Sequence, residues 1–243
     1  MNYRMLAFDY DETLAAHGVL SPPTAEALAA AKTAGCQLAL VTGRPHEELL
    51  GLCPHVPLFD LVVDENGAVV HIPATGRVDE LCARPDGRLR AELARREIPF
   101  VAGRIVTITR RPHETETLAI IREGGLPYET FVNRFAVMIV PRGVSKANGF
   151  RAGLARLGLA PDEVIAVGDD QNDVDFLRAA GLRVAVANAI DAVKAEADLV
   201  TSRPNGEGVA EFIRERILKS PGFMPDVPRR RPRLTKPGRP RPR

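Results

Sequence analysis

The alternation of strand-length apolar runs with helical segments constrains the fold of this 243-residue chain more than any other feature. A strand at residues 4–9 precedes a helix through PPTAEALAAAKTAG, and the apolar run CQLALVT then predicts a second strand. The same rhythm returns from Ser145 to about Leu218. Strands that alternate with helices indicate a Rossmann-like α/β fold around a parallel sheet.

The rhythm is interrupted in the middle of the chain. Between residues 73 and 143, Arg-rich helical segments (GRLRAELARRE and HETETLAIIRE) alternate with the strand-like runs GRIVTIT and NRFAVMIVP. This texture predicts a small α+β domain inserted into the α/β core. We therefore assign residues 1–72 and 144–218 to the core and residues 73–143 to the insertion.

The last 25 residues, 219–243, differ in composition from everything before them. They hold nine Lys and Arg against the single acid Asp226, with many prolines and few aliphatic side chains. Such a segment buries too little surface to offset its ordering entropy, so we predict a disordered basic tail. Nonspecific contact with nucleic acid is the alternative, but Phe223 alone offers a ring for stacking.

Apolar stretches in this chain are strand-length, which predicts no membrane span. The N-terminal residues MNYRMLAFDYDE meet acid before a signal-peptide apolar region can form. The three cysteines are odd in number and lack any CxxC spacing. These features predict a cytoplasmic protein.

Four short polar segments share one predicted location. They are DYDET at 9–13, VTGR at 41–44, SKANG at 145–149 and GDDQND at 168–173. Three of them follow predicted core strands, and SKANG begins a helix. Because the carboxyl ends of parallel strands meet at one edge of a sheet, we expect these segments to form a single site.

The residue types in these segments are complementary. The carboxylates, if they converge, repel one another and require a cation, and oxygen ligands without His or Cys indicate Mg²⁺. Thr42 and Lys146 supply a hydroxyl and a positive charge for phosphate oxygens. We therefore predict a phosphoryl-transfer site with Asp9 as nucleophile and Asp11 as proton carrier. The aspartates concerned are Asp9, Asp11, Asp169, Asp170 and Asp173.

The four segments resemble, in order and spacing, the motifs of the haloacid dehalogenase (HAD) superfamily of phosphatases, and the resemblance covers residues 1–218. It implies that Asp9 is the nucleophile and that Asp11 is the general acid and then the general base. It further implies that Thr42 and Lys146 hold the phosphoryl oxygens.

The resemblance also implies a ligand set for Mg²⁺. Asp9, Asp169 and the backbone carbonyl of Asp11 would bind the ion, with Asp173 as a ligand directly or through water. Asn172 would support the site, and Asp170 occupies a variable position. The metal residues are thus Asp9, Asp11, Asp169 and Asp173, and the phosphate- or substrate-binding residues are Thr42, Gly43, Arg44, Lys146 and Asn172.

An insertion between the second and third motifs resembles the large-cap C2 class. The segments ENGAVV and GDxxND resemble motifs of the Cof-type, sucrose-phosphatase-like and archaeal phosphoglycolate-phosphatase-like branch of this class. This implies a Mg²⁺-dependent phosphomonoester hydrolase for a small phosphorylated metabolite, such as a sugar phosphate or phosphoglycolate. One departure is Glu12, at a position where this branch usually has Gly.

Two other functions stay open. A phosphotransferase or phosphomutase would use the same aspartate with another acceptor. A non-catalytic receiver-like module also combines Asp, Thr, Lys and Mg²⁺, although it has about half this length and no inserted cap.

Several residues have two interpretations. Glu65, Asn66 and Gly67 form either a hairpin turn or a substrate contact, and Arg44 binds either an anionic substrate or a surface acid. In the cap, a basic face toward the site or a solvated face are the alternatives for Arg104, Asn133 and Arg134. None of the five histidines has a spaced partner, and we assign them no role.

Overall fold

A computed structural model describes residues 3–132 and 136–219 of the chain. In chain order its strands are β1 (Met5–Asp9), β2 (Gln37–Val41), β3 (Leu61–Asp64), β4 (Val69–Ile72), β5 (Arg77–Glu80), β6 (Phe100–Ala102), β7 (Thr107–Arg110), β8 (Tyr128–Val132), β9 (Ala136–Pro141), β10 (Val164–Gly168), β11 (Leu182–Ala185) and β12 (Leu199–Val200). Its α-helices are α1 (Pro22–Thr33), α2 (His46–Leu52), α3 (Arg88–Arg95), α4 (Glu114–Glu123), α5 (Lys146–Leu157), α6 (Val174–Arg178), α7 (Asp191–Glu196) and α8 (Asn205–Phe212), followed by a π-helical turn at Ile213–Ile217.

The core is one large sheet in the order β12-β11-β10-β1-β2-β3-β4-β5. Strands β12 to β3 pair in parallel, and β4 and β5 continue the sheet as antiparallel strands. The central strand β1 is buried along its length, which explains its continuous apolar run before Asp9. The α/β class and the parallel sheet predicted from the sequence are confirmed.

Residues 77–80 differ from the predicted domain boundary. They form β5, which pairs with β4 at the edge of the large sheet, whereas we assigned residues 73–143 to the insertion. The segment RVDE is polar and only half-buried, as an edge strand allows, so it lacks the alternation that marks a core strand. The inserted chain therefore leaves the core sheet after Glu80.

The inserted cap has its own four-stranded antiparallel sheet in the order β6-β7-β9-β8. Helices α3 and α4 cover one face of this sheet, as the predicted α+β unit requires. Two of its strands, β6 and β8, were not predicted, and β6 has three residues, too few to show a period. The buried side chains between these helices and the sheet include Leu89, Leu93, Ile120, Ile121 and Ile139.

Two glycines, Gly67 and Gly149, allow the start of α5 to pack closely against the turn at residues 65–67. Gly67 has φ +102°, and a Cβ on it would lie 2.0 Å from the carbonyl oxygen of Ser145. A Cβ on Gly149 would lie 2.5 Å from the Cα of Gly67. Only glycine permits both approaches, and the contact brings Lys146 to the end of β1.

Some predictions fall on residues that the structure does not describe. These are most of the basic tail, from residue 220 to 243, and the cap residues Asn133 and Arg134. Within residues 3–132 and 136–219, no helix combines the length and the hydrophobicity that a membrane crossing requires.

Candidate active site

Three buried carboxylates meet at the carboxyl edge of the core sheet. Asp9 ends β1, and Asp169 and Asp173 follow β10. One oxygen of each lies within 4.8 Å of the others, and the side chains belong to residues that are 5%, 8% and 0% exposed, respectively. The first and fourth segments predicted to converge are therefore adjacent in space.

Lys146 joins this acid cluster from the first turn of α5. Its Nζ donates to Oδ1 of Asp9 and, at 2.6 Å, to Oδ1 of Asp173. The lysine is fixed by its helix, which begins where Ser145 Oγ accepts a hydrogen bond from Asn148 N at 3.2 Å. The predicted convergence of the third segment with the acids is thus present.

Hydrogen bonds hold the loop after β10 in place. Oδ2 of Asp173 accepts the backbone N–H groups of Asp169 and Asp170, each at 3.0 Å. Thr13 Oγ1 donates to Oδ1 of Asp169 at 2.7 Å. Both oxygens of Asp173 therefore accept hydrogen bonds from Lys146 or the loop, while Asp9 and Asp169 each have an oxygen without such a bond.

The acid cluster carries more negative charge than Lys146 balances. Burial and the charge of Asp173 raise the pKa of Asp169 to about 7. Burial and Asp173 likewise raise the pKa of Asp9 well above its usual range, against the opposing charge of Lys146. Although burial opposes it, the charges of Asp173 and Asp9 raise the pKa of Lys146. Hard oxygen donors with surplus negative charge fit a divalent cation such as Mg²⁺.

The carboxylate of Asp11 pairs with Arg44 instead of joining this cluster. Arg44 donates to both of its oxygens, from Nε at 2.9 Å and from NH2 at 2.7 Å. The same guanidinium contacts Glu48 and lies 5.7 Å above the ring of Tyr10. Asp11 was predicted to bind the metal through its backbone carbonyl oxygen, and that role stays a prediction. Arg44 therefore has acid partners here and also lines the cavity described below, so its interpretation as a substrate-binding residue stays a prediction.

The second segment forms a tight loop after β2. Thr42 is fully buried, and its Oγ1 accepts the backbone N–H of Arg44 at 3.2 Å. A Cβ on Gly43 would lie 2.5 Å from Sδ of Met138, so the cap rests directly on this loop.

A cavity of about 780 Å³ lies between the acid cluster and the cap. Charged side chains of the core form the floor of this cavity. Asn172 also lines the cavity, and Nδ2 of Asn172 lies 3.5 Å from Oδ1 of Asn66. The cavity is within the range of small-molecule sites. Its lining includes Asp9, Asp11, Gly43, Arg44, Lys146, Asp169 and Asn172 from the core, and Val101, Ile108, Arg111 and Met138 from the cap.

Glu12 adopts a left-handed backbone, with φ 59°, at the edge of this cavity. This conformation favours glycine, which explains the Gly expected here from the family resemblance. The side chain of Glu12 accepts the backbone N–H of His17 at 3.1 Å, so the local turn compensates part of the strain.

Glu65 has a role that the sequence analysis missed. Its carboxylate is fully buried and accepts four backbone N–H groups. Three come from the cap, from Arg104 at 2.8 Å, Ile105 at 2.7 Å and Val106 at 2.9 Å, and one comes from His46 at 3.3 Å. Glu65 therefore fastens the cap to the core, and no local signal revealed this because its three cap partners lie about 40 residues later and His46 lies 19 residues earlier.

Arg104 belongs to the same junction. Its Nε donates to Glu47 at 2.7 Å, and its NH1 lies 3.5 Å from Glu80. The interpretation in which Arg104 faces the active site is therefore wrong, because both acids belong to the core and hold the guanidinium against it.

Buried histidines lie behind the second segment. His46 Nδ1 is 2.5 Å from Oδ2 of Asp64, and its ring packs edge-on against His71 at 5.1 Å between centroids. Burial raises the pKa of Asp64 to about 6, and the hydrogen bond to Asp64 raises the pKa of His46. This group supports the start of α2 and was also missed, since residues 46, 64 and 71 show no metal-ligand spacing.

Comparison with known proteins agrees with this geometry. The sequence profile of the haloacid dehalogenase-like hydrolases matches residues 6–79 and 113–213. A phosphoglycolate phosphatase of Methanothermobacter thermautotrophicus is 31% identical over 217 residues, which span 87% of this chain and 97% of that protein. A phosphoglycolate phosphatase of Methanoculleus marisnigri is 31% identical over 193 residues, or 75% and 82% of the two chains.

Solved structures share the fold. A haloacid dehalogenase-like hydrolase from Bacteroides thetaiotaomicron superposes with a TM-score of 0.75 at 22% identity, covering 87% of this chain and 98% of the other. A HAD subclass IIB sugar phosphatase superposes with a TM-score of 0.69 at 23% identity, with the same coverage. With the matched motifs and the core-and-cap architecture, these findings show that the chain belongs to the haloacid dehalogenase-like hydrolase family and is one of its phosphatases.

Proposed function

We propose that the enzyme is a Mg²⁺-dependent phosphomonoester hydrolase that works through an aspartyl-phosphate on Asp9. The observation that carries this proposal is the buried Asp9 carboxylate at the floor of the cavity, in contact with Lys146 and within 4.8 Å of the carboxylates of Asp169 and Asp173. The substrate is a small phosphorylated metabolite. The names of the relatives suggest phosphoglycolate and sugar phosphates as the first candidates.

In the first step, an oxygen of Asp9 attacks the phosphorus atom and the bond from phosphorus to the leaving alcohol oxygen breaks. Lys146 and the loop of Thr42 hold the phosphoryl oxygens. Asp11 donates a proton to the leaving oxygen, so its carboxyl must separate from Arg44 during the cycle. Arg44 is then available to pair with the substrate.

In the second step, water attacks the phosphorus of the aspartyl-phosphate. Asp11 accepts a proton from this water, the bond between phosphorus and Asp9 breaks, and inorganic phosphate leaves. The cap excludes bulk water during transfer, since Met138 rests on the Gly43 loop.

Asp9, Asp169 and the backbone carbonyl of Asp11 would hold the Mg²⁺ ion, with Asp173 as a ligand directly or through water. When bound, the ion would neutralise the charge that Asp9 and the phosphoryl group bring together.

The test is phosphate release from p-nitrophenyl phosphate with Mg²⁺ and with EDTA. We expect Asp9→Asn to abolish release, and Asp170→Asn to retain it because Asp170 lies beside the cluster and caps its own turn through Gln171 N. Rapid quenching of the parent enzyme should trap a mass increase of one phosphoryl group that Asp9→Asn lacks. Full activity of Asp9→Asn, or activity that EDTA leaves unchanged, would contradict the proposal. Transfer to an added alcohol in preference to water would instead identify a phosphotransferase.

A further inference from the structure

The two walls of the active-site cavity differ in chemistry. The floor consists of charged side chains of the core, among them Asp9, Lys146 and Asp169. The cap contributes mainly aliphatic side chains, among them Val101, Ile108 and Met138, together with the guanidinium of Arg111. A ligand that fills the cavity must therefore place an anionic group on the floor and another kind of surface under the cap.

The aliphatic side chains of the cap form one row. In the cap sheet Val101 pairs with Ile108, and Ile108 pairs with Met138. Residues that lie directly opposite in antiparallel strands point to the same face, so the three side chains make a continuous apolar surface. We call this surface the apolar row.

The apolar row is only partly covered by the protein itself. Met138 is buried against Gly43 and a hydrophobic cluster that includes Val69, whereas Val101 is 50% exposed at the other end of the row. A half-exposed aliphatic residue that lines a cavity offers contact area to a ligand.

We propose that this phosphatase selects phosphomonoesters whose leaving alcohol carries an apolar ring or chain. This inference rests on the proposed function and narrows its class of small phosphorylated metabolites, and it disfavours the phosphoglycolate and sugar phosphates that the names of the relatives suggest. A polyhydroxylated leaving group under the apolar row would bury hydroxyls against side chains that offer them no hydrogen bond, which is unfavourable. An aliphatic group there gains contact with Val101 and Ile108 instead. Phosphoglycolate would leave most of a 780 Å³ cavity unfilled.

The test compares two substrates with the same type of leaving group. Cyclohexylmethyl phosphate and glucose 6-phosphate both release a primary alcohol that carries a six-membered ring, and they differ mainly in the ring hydroxyls. We expect kcat/KM to favour cyclohexylmethyl phosphate by about 10-fold or more, as apolar pockets do. A preference for glucose 6-phosphate would overturn the inference.

An isosteric substitution then locates the preference. Val101→Thr keeps the shape of the side chain and adds a hydroxyl, and we expect it to lower kcat/KM for cyclohexylmethyl phosphate about 3- to 10-fold without lowering that for glucose 6-phosphate. The matched control is Val200→Thr, because Val200 is 45% exposed on the edge strand β12, away from the cavity, and should change neither value. An equal loss for both substrates in Val101→Thr would show that the row serves cap packing, and would overturn the inference.

Failure of the inference is distinguishable from failure of the proposed function. Release of phosphate from p-nitrophenyl phosphate but not from cyclohexylmethyl phosphate overturns the inference alone. Absence of release from all three esters overturns the proposed function and the inference with it.

Discussion

Two of the places where the enzyme buries carboxylates differ in the partners of those carboxylates. In the acid cluster, Asp9, Asp169 and Asp173 face the single ammonium of Lys146. At the junction with the cap, the carboxylate of Glu65 faces four backbone N–H groups and accepts from all of them. One site has surplus negative charge, and the other has a saturated set of neutral donors.

Burial alone therefore does not identify a functional acid. A carboxylate that is saturated by backbone donors is fixed and structural, while carboxylates with too few cations are suited to bind one. Substitutions in the two places should therefore differ in what they change, catalysis as well as stability in one and mainly stability in the other.

Removal of the Lys146 ammonium should have the largest effect, on both stability and phosphate release. We expect Lys146→Met to lower the free energy of unfolding by about 3–5 kcal/mol in EDTA, since it leaves buried acids without their partner. Phosphate release should fall about 100- to 1000-fold, the order seen when a preorganised charge stabiliser is lost. Urea unfolding and initial rates measure the two effects.

Lys219→Met is the control, because Lys219 is exposed and pairs on the surface with Glu215. An equally small effect of both substitutions would contradict the role assigned to Lys146.

Substitution at the saturated site should affect stability more than chemistry. Glu65→Gln keeps one acceptor oxygen but points an amide NH₂ at backbone donors, so we expect a loss of about 2–3 kcal/mol. Urea unfolding measures this loss, and hydrogen exchange should quicken at the amides of residues 104–106. The matched control Glu26→Gln lies on the exposed side of α1 and should cost less than about 0.5 kcal/mol. Equal losses for both variants would show that the four hydrogen bonds stabilise nothing.

The surplus charge of the acid cluster should make stability depend on pH when metal is absent. The pKa of Asp169 is raised to about 7, so the folded protein holds a proton that the unfolded chain has released. Stability in EDTA should therefore fall as pH rises from about 4 to about 7. Saturating Mg²⁺ should remove this fall and stabilise the protein by about 3 kcal/mol at 100 times its Kd. Asp169→Asn should show a shallower fall and a weaker response to Mg²⁺; an unchanged profile would place the titration elsewhere.

Glu12 should give the smallest effect. Glu12→Gly relieves the left-handed backbone and removes one acid from the cavity wall, so we expect a gain in stability below about 1 kcal/mol and a lower KM for phosphate esters. Thermal unfolding and steady-state kinetics measure these changes. Glu12→Ala removes the charge but keeps the strain, so it should match the kinetic effect without the gain in stability. If Ala is as stable as Gly, the backbone at Glu12 is not strained.

The acid cluster was predictable from the sequence, whereas the junction was not. Asp9, Lys146 and Asp169 each stand at the end of a core strand or the start of a helix, where topology alone brings them together. Their charges identify the chemistry because alternatives to a cation site are few. Glu65 also follows a strand, but its hydrogen-bond donors are backbone N–H groups, which any sequence supplies. The amino-acid sequence therefore does not indicate the contact between Glu65 and the cap.

The limits of the cap prediction have similar causes. Strand β5 was assigned to the insertion because RVDE is polar and lies at a sheet edge. The direction of Arg104 depends on Glu47 and Glu80, which come close only after the two sheets pack. The apolar row exists only through the register of β6, β7 and β9, and periodicity does not reveal register between strands.

The close contact between the 65–67 turn and α5 limits where the cap can be exchanged for that of another protein. A Cβ at Gly67 would lie 2.0 Å from Ser145 O, so the turn and the helix of Lys146 must be transplanted or kept together. A chimera that joins a foreign cap after β5 and before α5 retains this unit. The foreign cap must then present its own consecutive amides to Glu65, and modular redesign of specificity in this scaffold begins with that requirement.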